Sequence, residues 1–164
     1  MVLQEWKQIM HMDVLHMGSS EGDAVPDIFG ERAAESARRF HQSVPGYEKT
    51  PLVELRALSD SLGVNGIFVK DESKRFGLNA FKGLGGSYAM FCILCKRLGL
   101  NPAETGLEEL LTERIQERIR EVTFVTATDG NHGKGVSWAA KIFGCRVYVY
   151  MPAGSAKTRA EAIR

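Results

Sequence analysis

The chain has 164 residues, 44% hydrophobic and 25% charged, with 21 Lys and Arg against 20 Asp and Glu and a formal net charge of +1. This composition suits one globular domain or a portion of a larger one. The near balance of charge gives no electrostatic reason to expect nucleic acid or an anionic membrane as a partner. No stretch approaches the roughly 18 apolar residues of a membrane span, and the opening MVLQEWKQIMHMDVLHMGSS lacks the order of a secretion signal. Three cysteines without an even framework point to reduced thiols and a cytoplasmic setting.

Residues 1–45 read as a loose or helical lead-in. The first thirty lack periodicity and hold Gly18, Gly22, Pro26 and Gly30. ERAAESARRFHQ at 31–42 is rich in helix formers, and Pro45 and Gly46 end that helix. Leu55, Leu58 and Leu62 follow helical spacing, with Gly63 as the stop. GIFVK at 66–70 reads as a short strand. From Lys82 to Leu98, the residues Tyr88, Phe91, Cys95 and Leu98 mark one buried helical face. Leu107, Leu110, Leu111, Ile115 and Ile119 do the same on the next helix. VTFVT at 122–126 has the β-branched run of a buried parallel strand. A glycine-rich turn leads into a helix with Val136, Ala139, Ala140 and Phe143 on one face. RVYVYM at 146–151 is the next strand, and Ser155 is placed to cap a final helix. Strand, turn, helix, strand is the rhythm of an α/β fold with a mostly parallel sheet and flanking helices. Because Arg164 falls inside that last helix, just after a strand, the sheet is expected to be truncated.

Two segments are suited to chemistry. In ATDGNHGKG, 127–135, a strand ends and a helix begins, which is where open parallel sheets bind ligands. The helix start offers unpaired N–H groups to an anion. Gly130 and Gly133 permit close approach and positive φ, while Asp129 and Asn131 add a carboxylate and an amide. The same residues also read as a glycine turn with an Asx cap. The order of glycines matches neither a P-loop nor a dinucleotide fingerprint. In KDESKRFGLNAFKGLGGSY, 70–88, Lys82 stands before a glycine-rich helix start. Ala80 and Phe81 would desolvate its amine and favour Schiff-base chemistry. Gly83, Gly85 and Gly86 each cost a helix about 1 kcal/mol relative to Ala, which suggests a need for close approach. Cys92 and Cys95 form a C-x-x-C in mid-helix without a second ligand pair, and read as core. His11 and His16 read as surface residues. ERIQERIRE at 113–121 reads as a solvated face with i,i+4 ion pairs.

Taken in order, TPL at Thr50–Leu52, KDES at Lys70–Ser73, FGLNAFKGLGGSYA around Lys82 and TATDGNHGKGVSWAA from Thr126 resemble the fold-type II enzymes that use pyridoxal 5'-phosphate (PLP), the tryptophan-synthase-β-like superfamily. Within it, the wording is most similar to the diaminopropionate ammonia-lyase branch, from about Phe40 to Arg164. The resemblance implies that residues 46–164 are the N-terminal portion of a PLP-dependent catalytic fold that eliminates ammonia from a small amino acid, 2,3-diaminopropionate. It also implies a homodimer for the full-length parent. By motif position, Lys82 would hold PLP and exchange the Cα proton, and Asn131 would hydrogen-bond the cofactor's phenolic oxygen. Phe81 would pack beside the ring. The backbone of Thr128, Asp129 and Gly130 would bind the substrate carboxylate, and His132 would be structural. Asp129 stands where related dehydratases have a small residue; it resembles a second base that admits the D-isomer. Gly83 is smaller than the pattern leads one to expect. The phosphate grip and the partner of the pyridine nitrogen would lie in a C-terminal portion. A serine/threonine dehydratase and a non-catalytic binding fragment remain as alternatives.

Overall fold

The computed structural model describes residue 26 and residues 29–164; His11 and His16 lie outside them. In chain order the elements are α1 (Glu31–Ser43), β1 (Leu52–Glu54), α2 (Arg56–Leu62), β2 (Phe68–Lys70), a 3-10 segment (Glu72–Gly77), α3 (Lys82–Leu98), α4 (Leu107–Leu110), α5 (Glu113–Ile119), β3 (Thr123–Ala127), α6 (Asn131–Phe143), β4 (Arg146–Tyr150) and α7 (Lys157–Ile163).

The spacing that marks α3 and α6 as amphipathic also packs them together. Phe91, Leu94 and Cys95 of α3 and Ala139 and Phe143 of α6 are each fully buried. Phe40, near the end of α1, stacks on Phe91 with ring centroids 4.3 Å apart. The phenylalanine and leucine side chains among them each contribute about 1.5–3 kcal/mol by leaving water. Val44 and the buried leucines and isoleucines of α4 and α5 complete the cluster. Cys95 is therefore a core residue, and burial pushes its thiol up to about 11. Among the described residues no three His, Cys, Asp or Glu side chains are grouped to hold a metal. Nor is any helix there long and apolar enough to cross a membrane.

The sheets are smaller than expected. β1 and β2 pair antiparallel, with Val53 opposite Val69. β3 and β4 pair parallel, with Val125 opposite Tyr148. The VTFVT strand is not buried on both faces. Exposure alternates along β3 and β4 because α6 covers one side only, leaving Val125, Tyr148 and Tyr150 more than half exposed on the other. Where β3 and β4 need a crossover, α6 supplies it, as parallel pairing requires.

Three local expectations change. The helix expected across 107–119 is two, because Thr112 is extended (φ −63°, ψ 143°). That break resets the helical phase, so Leu110 faces the core while Leu111 is 46% exposed. Within α5, Ile115 and Ile119 are buried, and no ion pair forms along 113–121 among the described residues. Ser155 does not cap α7; its Oγ donates to the Pro152 carbonyl at 2.9 Å, and Ala156 takes the cap position.

Candidate active site

Lys82 is the first residue of α3 and is delivered by an arm whose far end is locked. Arg75 is buried and gives its guanidinium to both oxygens of Glu72 (2.9 and 3.0 Å), to the Glu48 carbonyl (2.6 Å) and to Thr50 Oγ1 (3.2 Å). It also lies 5.1 Å from the Tyr47 ring centroid. In the KDES segment, Asp71 accepts from Ser73, while Glu72 is thus paired with Arg75. Their contact pushes the Glu72 carboxyl below its ordinary range and Arg75 further up, each chiefly through their mutual hydrogen bond. Lys70 adds a hydrogen bond to the Thr50 carbonyl.

At the near end, Gly83 has a reason to be small. A Cβ there would lie 2.8 Å from Leu78 Cδ1 and 3.5 Å from the Trp138 ring. Gly85 differs, since a Cβ there would meet nothing within 4 Å. It opens on a cleft of about 410 Å³ beside Lys82, lined also by Phe81, Gly86, Ala89, Thr126 and His132. The expected desolvation of the amine is not present. Lys82 is exposed and Phe81 is 55% exposed, because the ring covers one side only, its centroid 4.7 Å from Lys82 Nζ.

The ATDGNHGKG turn closes on itself. Thr128 N–H donates to the Tyr150 carbonyl at 2.9 Å, and Gly130 N–H donates to Thr128 Oγ1 at 3.4 Å. Neither Gly130 nor Gly133 takes a positive φ; Gly130 sits at φ −144°. The hydroxyl of Thr128 shapes the turn without it. Among the described residues no side chain caps α6, so the N–H groups of Asn131, His132 and Gly133 have no intrahelical partners.

The structure only partly assembles the sequence-predicted residues. Phe81 and Lys82 share one cleft with His132 and Thr126. Thr128 and Asp129 line a second, at the carboxyl ends of β3 and β4, with Tyr150 and Met151. Gly130 and Asn131 line a third, small hollow with Lys134 and Arg159. Asp129 Oδ2 accepts from Arg159 Nη1 at 2.7 Å, with side chains 46% and 58% exposed. The partners of Arg159, Lys134 and His41 are not legible in the sequence: a lone cation or histidine in a helix carries no signal of a partner so far along the chain.

His41 ties α1 to the start of α3. Its Nε2–H donates to the Leu84 carbonyl at 2.9 Å. Burial holds its pKa below the ordinary 6.5; the Leu84 bond opposes this, and Arg75 adds to the lowering. The unfolded chain therefore binds the proton more readily, so this contribution to stability is full above pH 6.5 and is lost as pH falls through the lower folded value. Thermal melts between pH 5 and 7.5 should show the midpoint falling with pH in the native chain and less so in His41→Gln. Parallel curves would mean that His41 does not carry the effect.

Lys82 stands at a helix start beside a glycine-lined cleft, and the uncapped start of α6 follows a parallel strand; an amine and a helix N-terminus suit an anionic cofactor that reacts with amines. Residues 44–164 match the family "pyridoxal-phosphate dependent enzyme", and the chain belongs to that family. It is 46% identical over 155 residues to the diaminopropionate ammonia-lyase of Escherichia coli (strain K12), an alignment that takes in 94% of this chain and 37% of that enzyme. Against the enzyme of the same name from Salmonella typhimurium (strain LT2) the figures are 53% over 125 residues, 76% and 31%. The crystal structure of the Escherichia coli enzyme in complex with D-serine superposes with a TM-score of 0.75 at 48% identity, over 85% of this chain and 35% of that one. The chain thus spans about a third of the length of the relatives it matches. The residues present fit the cofactor's ring. Lys82 would supply the amine, and the side of α3 next to it, at Gly85, leaves room that a side chain would fill.

Proposed function

We propose that this chain supplies the lysine-bearing part of a PLP-dependent ammonia-lyase that converts 2,3-diaminopropionate to pyruvate and ammonia by α,β-elimination. One observation carries the reading. The FGLNAFKGLGG and GNHG segments, about fifty residues apart in sequence, meet at a single cleft through Lys82, Gly85 and His132. When bound, PLP withdraws electrons from the substrate Cα. The chain's own residues do the rest. Lys82 holds the cofactor and moves the proton at Cα on one face. Asp129 takes the Cα proton of the D-isomer, which lies on the opposite face. Asn131 hydrogen-bonds the ring oxygen, and Phe81 flanks the ring. The Thr128–Gly130 backbone at the start of α6 holds the substrate carboxylate; because the Thr128 and Gly130 N–H groups already donate to the Tyr150 carbonyl and to Thr128 Oγ1, the Asp129 N–H and the α6 N-terminus make the contact. Residues 46–164 form this catalytic portion and 1–45 its lead-in. The three free thiols suit a cytoplasmic setting, and a homodimer is the proposed assembly of the complete enzyme.

The test uses a chimera in which residues 1–164 replace the matching part of the Escherichia coli enzyme. It should release pyruvate from both D- and L-diaminopropionate, while residues 1–164 alone with added PLP should release little. Turnover confined to L-serine or L-threonine would replace this reading with a dehydratase. No pyruvate from any of these substrates would favour a binding role.

A further inference from the structure

The arm that delivers Lys82 cannot hold its own shape. Phe76 and Asn79 adopt φ of 51° and 55°, in the left-handed region, on either side of Gly77 at 67°. Non-glycine residues there cost on the order of 1 kcal/mol or more each, and persist only where their surroundings over-determine them. Arg75 fixes the arm's beginning. Its end is gripped from one side by α6. Lys134 Nζ donates to the Leu78 carbonyl at 2.8 Å. Gly135 lies so close that a Cβ would be 3.0 Å from the carbonyl carbon and oxygen of Lys82 and from the Gly83 nitrogen. Trp138 stacks on Phe76 with centroids 4.3 Å apart. Contact at positions 134, 135 and 138 is one face of a helix.

We propose that Lys134 is a positioning residue for Lys82: its hydrogen bond to Leu78 holds the strained Leu78–Phe81 turn against α6 and so sets where the Lys82 amine enters the cleft. This rests on Lys82 being the cofactor lysine. The Leu78 carbonyl immediately precedes left-handed Asn79, so releasing it removes the tie that holds this turn to α6. Relaxation there swings Phe81 and Lys82 directly, whereas the core behind α3 does not depend on it. The same helix presents its first turn to the substrate side. Lys134 therefore links the position of the amine to the element expected to hold the carboxylate.

The experiment uses the 164-residue chain with PLP as the probe, borohydride trapping across pH 6 to 9 and peptide mapping of the label, beside melting of the untreated protein. Lys134→Met keeps the aliphatic stem and should reduce label on Lys82 about tenfold, the scale expected when a reacting group is displaced by a fraction of an ångström. The melting midpoint should barely move. Lys134→Arg restores the donor and should restore labelling, and Lys141→Met, an exposed lysine farther along α6, should match the native chain. Undiminished label on Lys82 in Lys134→Met overturns the proposal. So does equal loss in the Met and Arg variants with a falling midpoint, which would mark a merely structural contact. Label on another lysine in the native chain overturns the assignment of Lys82 itself, and this proposal with it.

Discussion

Replacing Lys82 with Arg should abolish covalent attachment of PLP at this site. The chain carries competing lysines nearby: Lys70, Lys74 and Lys134 lie within the same two motifs. Two of them are engaged, Lys70 with the Thr50 carbonyl and Lys134 with that of Leu78. Among the described residues Lys82 Nζ has no hydrogen-bond partner; it lies beside the glycine-lined cleft, over the Phe81 ring. Arginine keeps the positive charge but offers no amine that can lose its proton, since its pKa exceeds about 12. In the native chain, borohydride reduction after PLP treatment should place the label on the Lys82 peptide, and the visible Schiff-base absorbance should be lost in Lys82→Arg. Label of equal amount on Lys70 or Lys74 in both proteins would mean that surface amines, not this site, take up the cofactor.

Asp129→Asn in the chimera should cost D-diaminopropionate about 10²–10⁴ in rate, the usual scale for removing a general base, while the L-isomer loses far less. The ion pair with Arg159 bears on this. Arg159 occupies one carboxylate oxygen that the reaction needs, and both groups are about half exposed, at 46% and 58%. Exposed pairs contribute about 0–1 kcal/mol, so Arg159 can yield Asp129 at small cost. Asparagine keeps an oxygen that can accept from Arg159, so the variant removes basicity more than geometry. Steady-state pyruvate release from each isomer separates the cases. Equal losses on both would show that Asp129 serves the carboxylate-binding turn rather than one face of Cα.

Much of the chain's local structure is legible in its sequence. The apolar steps from Tyr88 to Leu98 and from Val136 to Phe143 fix α3 and α6, since a helix's buried face depends only on residues three and four apart. Gly63 ends α2 in the left-handed conformation that its position suggests. Helix α4–α5 is legible only in part. Leu111 lies on the same i+4 stripe as Leu107, Ile115 and Ile119, yet the extended Thr112 turns it outward. β1 and β2, three residues each, owe their existence to pairing with one another and have too few residues for a periodic signal.

By itself the sequence determined that Lys82 opens a glycine-rich helix and that Asp129, Gly130 and Asn131 form the turn between a strand and a helix. Both depend on neighbours within a few positions, where backbone propensity and side-chain period act. Only the tertiary structure decided which of these residues face one another. It put His132 and Thr126 beside Lys82, and gave Asp129 to a different cleft with Arg159 as its partner. It also left the amine in solvent rather than under Phe81. The contacts that set the arm join positions 56 residues apart at Lys134 and Leu78, and 43 apart at His41 and Leu84. No local pattern encodes such pairs, because they exist only once α1 and α6 have been brought against α3 by burying the core.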